Sequence, residues 1–489
     1  MKARTGLSQR FSHKKIIKYV IPTIVMMLFM SSYTIIDGIF VSRFVDEAAL
    51  VTINVVYPIL GTFLAIGFMM SSGSNAIIAK LLGSGNKEKA RSFFSVIYIT
   101  AMLISIILIV LILKYEQPIL SFLGCDGKTF FYGKRYITPL VLFVPAIFLQ
   151  QFAQVFFITN GKPNLGLIIV LIGGIFNIFF DYLFIVTLNF GIAGAAYATG
   201  IGFLIPGIFG ILYFTFNKSG ILYFVKPKFN FSLIINTLKN GSSEFINNMS
   251  LSIVTYLFNV ILLRMSGESA VAAITVVLYI QIIQVAIYTG YSLGVSPIVS
   301  YKYGQNNRRQ LRKVFKFSFI FISISSILVI VISYFGSSTG VSWFIRSDSE
   351  SYLLSLRAFK LFLIAYLFMG FNIFASSMFT AFNNGRVSAI LSFLRTLVFV
   401  ILSLLTLPKI FGLTGVFISV PVAEAVSFLF SIMLYFKYKK KYLDEQVYLI
   451  DFSFKIKREE HNNKCLRNVA YEMWIKETDP PRKKLLVYI

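Results

Sequence analysis

Twelve long stretches of this sequence carry almost no charge, and each is long enough to cross a bilayer as a helix, which takes about 20 apolar residues. They fall at 16–42, 51–79, 92–113, 135–158, 164–187, 191–215, 236–263, 270–300, 314–335, 352–380, 387–408 and 412–436. Lipid offers the backbone no hydrogen bonds, so a spanning segment must be a helix or part of a closed barrel. No stretch alternates apolar and polar residues as a barrel strand does. The expected fold is therefore an all-α integral membrane protein with twelve transmembrane helices. Composition agrees, with 57% apolar residues, 13% charged residues and 52 phenylalanines among 489. A soluble domain holds about 25% charged residues, so a soluble enzyme, a disordered chain and a secreted disulfide scaffold are excluded.

The loops sort by charge. Lys2, Arg4, Arg10, Lys14, Lys15 and Lys18 precede or open the first stretch. On the same side fall Lys80, Lys87, Lys89 and Arg91, then Lys218, Lys226, Lys228 and Lys239, then Lys302, Arg308, Arg309, Arg312, Lys313 and Lys316. The opposite loops collect Asp46, Glu47, Glu116, Asp126, Glu268, Asp348 and Glu350. By the positive-inside rule both termini lie in the cytoplasm. The net charge of +26 then belongs to cytoplasmic loops, and no nucleic-acid partner is expected. No small-residue cleavage site follows a short apolar core at the N-terminus, so the first stretch reads as a helix and not as a cleaved signal. Cys125 and Cys465 form neither a CxxC motif nor a disulfide framework. His13 and His461 lie in polar ends, which leaves no intramembrane histidine for metal binding or acyl transfer.

The chain repeats itself. At a shift of 221, residues 65–91 align without gaps to 286–312, and Ala65, Ile66, Ser71, Gly73, Ile77, Gly83, Asn86 and Arg91 all recur. The same shift pairs Phe190-Gly191 with Phe411-Gly412, while Asn160-Gly161 and Asn384-Gly385 imply a local shift of 224. Each half holds six spans, so both halves enter from the same side and are parallel repeats about an axis along the membrane normal. The expected layout is a cytoplasmic segment at 1–13, one lobe at 14–215, a linker at 216–235, a second lobe at 236–437 and a cytoplasmic tail at 438–489.

An ionisable group inside a bilayer is costly and marks a functional hypothesis. Five stand out: Asp37, Asp181, Glu244, Arg395 and Glu424. The two halves agree in their glycines and differ at these positions, since Asp37 pairs with Phe258 and the counterparts of Asp181 lie among Leu402–Leu405. At 1.5 Å per residue, Asp181 lies roughly 9 Å and Thr199 roughly 12 Å from the outer surface. Asp37 lies at a similar level, and Asn177 sits one turn from Asp181 on the same helix face. Two readings stay open here. The four can form a proton or Na⁺ site, because both ions want oxygen ligands, or Asp37 can mark a helix end while Asn177 and Asp181 bond structurally.

Arg395 and Glu424 reach the same depth on consecutive helices, about 12 Å from one surface and 18 Å from the other, so an ion pair is expected. Gln150, Gln151 and Gln154, with Gln281 and Gln284, recur at helical spacing and offer a polar cavity wall. Lys437 and Lys439–Lys441 suit a juxtamembrane anchor to anionic lipid.

These features together resemble the MATE (multidrug and toxic compound extrusion) family over residues 14–437. The resemblance rests on VIPTIV at 20–25, YTIIDGIFVSRF at 33–44, AKLLGSGN at 79–86, NGKP at 160–163, NIFFD at 177–181 and GIAGAAYAT at 191–199. NGSSEFINN at 240–248 and VPVAEAV at 420–426 resemble its MepA-type multidrug-export branch. The resemblance implies two six-helix lobes and cation coupling at Asp37, Asn177 and Asp181, joined by Thr199 and Tyr136. It also implies a bending helix at Pro22, which on physical grounds removes a ladder donor and favours a kink. The acid found deep in the seventh span of one branch is not clearly matched, since Glu244 is expected only a turn inside the cytoplasmic end.

The expected function is secondary efflux of cationic or amphipathic organic compounds by antiport with H⁺ or Na⁺. The alternative is a flippase for lipid-linked saccharides, which would need several deep cations to hold pyrophosphate, and only Arg395 lies deep. No P-loop is present, and no cofactor or enzymatic activity is expected. A monomer in a bacterial plasma membrane is the expected setting.

Overall fold

The computed structural model describes residues 6–45, 47–342 and 348–444. The tail 445–489, with Cys465 and His461, lies outside the described residues. Ten helices are long and apolar enough to cross a membrane, and two pairs bent at a short break add one span each. Numbered along the chain they are α1 (His13–Phe44), α2 (Glu47–Gly83), α3 (Lys87–Lys114), α4 (Gly127–Leu142 with Val144–Thr159), α5 (Pro163–Thr187) and α6 (Ile192–Phe216). The second six are α7 (Phe231–Gly267), α8 (Ser269–Gly304), α9 (Arg308–Phe335), α10 (Glu350–Phe362 with Ala365–Ala381), α11 (Gly385–Phe411) and α12 (Ser419–Tyr442).

Two of the expected straight spans are bent, α4 by 54° and α10 by 53°. In α4 the break falls at Phe143, just before Pro145, whose ring lacks an N–H and restricts the residue ahead of it. α7 and α8 run end to end and part only at Gly267, where φ is +71°.

The halves fold alike as two six-helix lobes. Gly191 (φ 60°, ψ −139°) and Gly412 (φ 57°, ψ −138°) open α6 and the segment before α12 with one and the same turn. This left-handed region favours glycine, which has no Cβ to clash. The register after α4 and α10 differs from the expected one. Gly161 N–H and Lys162 N–H bond Ile158 and Phe157, while Asn383 N–H and Asn384 N–H bond Thr380 and Phe379. The local shift is therefore 222 and not 224. The left-handed position is Gly161 in one half and Asn383 in the other, and asparagine tolerates that conformation. Matching the letters Asn-Gly in both halves therefore misaligned them.

The lobes meet near the helix ends that carry Lys80, Lys87, Lys302 and Arg308, termed here the basic end. A Cβ on Gly83 would overlap the Tyr301 carbonyl, and one on Gly304 would overlap the Lys80 carbonyl. Gly73 of α2 is equally close to Thr237, and Gly241 of α7 to Met69. Gly290 of α8 lies against Thr23 and Ile24 of α1, and the Thr23 hydroxyl donates to its carbonyl at 2.7 Å. On the outer faces, α3 exposes Leu103, Ile106 and Ile107, and α9 exposes the 221-shifted Ile324, Ile327 and Leu328. Apolar faces of this extent suit lipid rather than water.

Candidate functional site

Glycine at successive positions of α5 lets two helices, α1 and α6, close upon it. Gly174 lies under the rings of Phe29 and Tyr33 of α1, and Gly173 lies under Pro206 and the Gly202 carbonyl of α6. One turn further along, Asn177 packs against Gly202. A turn beyond that stands Asp181, and from Tyr182 to Thr187 the helix winds as a π-helix, a departure that often accompanies function.

Asp37 of α1 comes within side-chain reach of both Asn177 and Asp181. Tyr136 of α4, buried, lies near both carboxyls. Thr199 is half-buried on α6, which packs along α5. Asn177 and Asp181 are 2% and 1% exposed. Despite this burial, Asp37 Oδ1, Asp181 Oδ2 and both polar atoms of Asn177 have no hydrogen-bond partner in the protein. Buried polar atoms are normally paired. The orphan oxygens of Asp37, Asp181 and Asn177 are the kind of ligand that a shared proton or a small hard cation takes. Sequence reasoning missed Tyr33, one turn before Asp37, which lies near Asp37 and Tyr57; its i−4 spacing from Asp37 was the available signal.

Pro22 is buried, and α1 runs as one helix through it. α7 begins at Phe231, so Glu244 lies 13 residues, about 20 Å, along that helix from its first residue, five residues past Lys239, and is half-buried beside Asn247.

Arg395 and Glu424 do pair. The guanidinium Nε and Nη2 donate to Glu424 Oε1 at 3.0 and 2.9 Å, with both side chains under a tenth exposed. Asn372 of α10 donates to Glu424 Oε2 at 2.7 Å, and Ser431 donates to Asn372 Oδ1 at 2.9 Å. One turn toward the basic end, hydroxyls of Ser392, Ser376, Ser388, Thr380 and Ser243 bond in series. Among the glutamines, Gln150 donates to Gln154 at 3.1 Å, Gln281 reaches the Met369 sulfur, and Gln284 is buried with neither amide atom bonded. Among the described residues no group of three or more His, Cys, Asp or Glu side chains converges.

Two parallel six-helix lobes define an internally duplicated, polytopic membrane protein. A family model described as MatE matches residues 22–183 and again 244–405, which makes the two halves separate matches to one pattern. The chain belongs to the MatE family and is a transporter, not an enzyme. It is 24% identical over 440 residues to the multidrug export protein MepA of Staphylococcus haemolyticus, covering 90% of this chain and 96% of that one. The MepA of a bovine Staphylococcus aureus strain is 23% identical over 423 residues, covering 86% and 93%. A structure described as the outward-facing conformation of a multidrug resistance MATE family transporter superposes with a TM-score of 0.83, at 20% identity, covering 89% and 98%.

Proposed function

We propose that this protein exports amphipathic, mainly cationic organic compounds from a bacterial cell by antiport with H⁺ or Na⁺. The observation that carries this reading is the set of unpaired buried oxygens on Asp37, Asn177 and Asp181. Tyr136 and Thr199 complete the coupling site. With the basic end in the cytoplasm, both termini lie inside, and the close glycine contacts between lobes put the seal on the inner side. The site then takes its ion from outside. Each net charge moved inward through 100 mV supplies about 2.3 kcal/mol, more than a tenfold ratio of an uncharged substrate requires. A monovalent cation exchanged for one ion is instead driven by that ion's concentration gradient alone. Pro22, fifteen residues from Asp37 in the same helix, converts the local charge change into bending of α1. The lobes at 14–215 and 236–437, the linker at 216–235 and a monomeric plasma-membrane protein complete the proposal. The flippase alternative loses support because Arg395, its one deep cation, is already held by Glu424.

Everted vesicles given norfloxacin or ethidium in the medium, with a pH gradient or a Na⁺ gradient imposed separately, test the reading by uptake into the lumen. Asp37→Asn and Asp181→Asn are each expected to abolish gradient-driven transport while leaving insertion and yield intact. Unchanged transport in both moves the coupling site to Glu244 or Glu424 in the other lobe.

A further inference from the structure

The segment ahead of α1 crosses the seam between the lobes. Its first anchor is on the first lobe. Residues Gly6–Ser8 form one 3₁₀ turn with Leu7 fully buried. Gly6 lies directly on Gly161 in the α4–α5 loop, where a Cβ on Gly161 would stand 2.6 Å from its Cα.

Its second anchor is on the other lobe. Lys302 Nζ of α8 donates to the Ser8 carbonyl at 3.4 Å, and the Phe11 N–H donates to Gln310 Oε1 of α9 at 3.0 Å. Phe11 is 1% exposed, and the Lys302 ammonium lies 5.9 Å from its ring. His13 stacks on Phe317 of α9 at 5.2 Å. Between the anchors lies a cavity of about 430 Å³ lined by Ser8, Arg10, Gly83, Lys302, Gln305 and Asn307. Phe11 also packs edge-on against Tyr19 of α1 at 5.7 Å, so the strap is fixed to the first lobe through both Leu7 and Phe11.

α1 belongs to the first lobe, so any parting of the lobes at the basic end must break the contacts to α8 and α9. We propose that residues 6–13 are a latch on the inner gate, and that their release from Lys302, Gln310 and Phe317 is a required step of each transport cycle. This rests on the transport reading above, and the experiment separates the two.

Spin labels at Lys89→Cys in α3 and Lys313→Cys in α9, both exposed at the basic end, report the gap between lobes in a Cys125→Ser, Cys465→Ser background. Lys302→Met with Gln310→Ala removes two fastening contacts, which together shift a two-state ratio by roughly tenfold. A longer-distance population should appear, and an unaltered distance distribution overturns the latch. In the second arm, Arg10→Cys and Asn307→Cys are joined by a bifunctional maleimide, and norfloxacin efflux is measured in proteoliposomes. Joining should stop efflux, while each single variant capped with a simple maleimide keeps it. Full efflux from the joined protein overturns the latch. If the unjoined protein moves no norfloxacin under either gradient, the transport reading fails instead, and the distance arm still decides the latch.

Discussion

Gly83 and Gly304 occupy equivalent places in one seam, each facing the carbonyl of the residue three before the other, Tyr301 for Gly83 and Lys80 for Gly304. Neither site has room for a methyl group. Gly83→Ala and Gly304→Ala should each cost about 1–3 kcal/mol, the usual range for overpacking a tight contact. Because the contacts are related by the pseudo-twofold, the two penalties should agree. Thermal unfolding in detergent checks this, and a severalfold disparity between the variants would show that the seam is not symmetric.

The Arg395–Glu424 pair makes a different demand. Removing one partner strands a charge in low dielectric, and such losses cost about 3–5 kcal/mol. Arg395→Met and Glu424→Gln should each lower yield and melting temperature sharply. The double variant should recover much of the loss, since no charge is then left unpaired. Additive penalties would mean that Asn372 and Ser431, not the pairing, carry the stability.

Asn177 separates coupling from architecture. Its amide makes no hydrogen bond within the protein, so Asn177→Leu removes an unsatisfied buried group, whose cost is about 1–3 kcal/mol. The variant should be as stable as the parent or more so, and yet lose ion-driven efflux. Lower stability with efflux retained would return Asn177 to a purely structural role.

Cys125 reports on sidedness. It lies in the loop ahead of α4, at the end opposite the basic one, and is buried. Burial and the neighbouring Asp126 carboxylate both push its thiol above the ordinary range. The thiolate is the reacting form, so less of it exists at neutral pH than for a free thiol. A membrane-impermeant maleimide applied to whole cells should label Cys125 slowly at neutral pH and faster as the medium becomes alkaline. Labelling that requires broken cells would reverse the orientation.

Much of this was legible in the sequence because lipid imposes strict rules. Span number follows from apolar length, and the parallel repeat follows from the recurrence of residues 65–91 at 286–312. The meeting of Arg395 with Glu424 follows from apolar length and helical rise. The strap was not legible, because Leu7 and Phe11 are two isolated apolar residues in a basic segment with no period. Asn372 was missed because its role depends on what α12 brings opposite it. The serines of α10 and α11 read as ordinary small residues until their hydroxyls are seen in series.

The symmetric seam has a genealogical consequence. Self-complementary contacts, in which one patch meets its own copy, are the signature of an isologous dimer. A six-helix subunit pairing with an identical partner would carry every residue twice, and its two cavities would be the same. Joining the subunits into one chain removes that constraint and lets each side drift alone. Here one former subunit keeps the aspartates and Pro22, while the other holds Arg395 and Glu424. The backbone still honours the old dimer axis, and the side chains that handle charge no longer do.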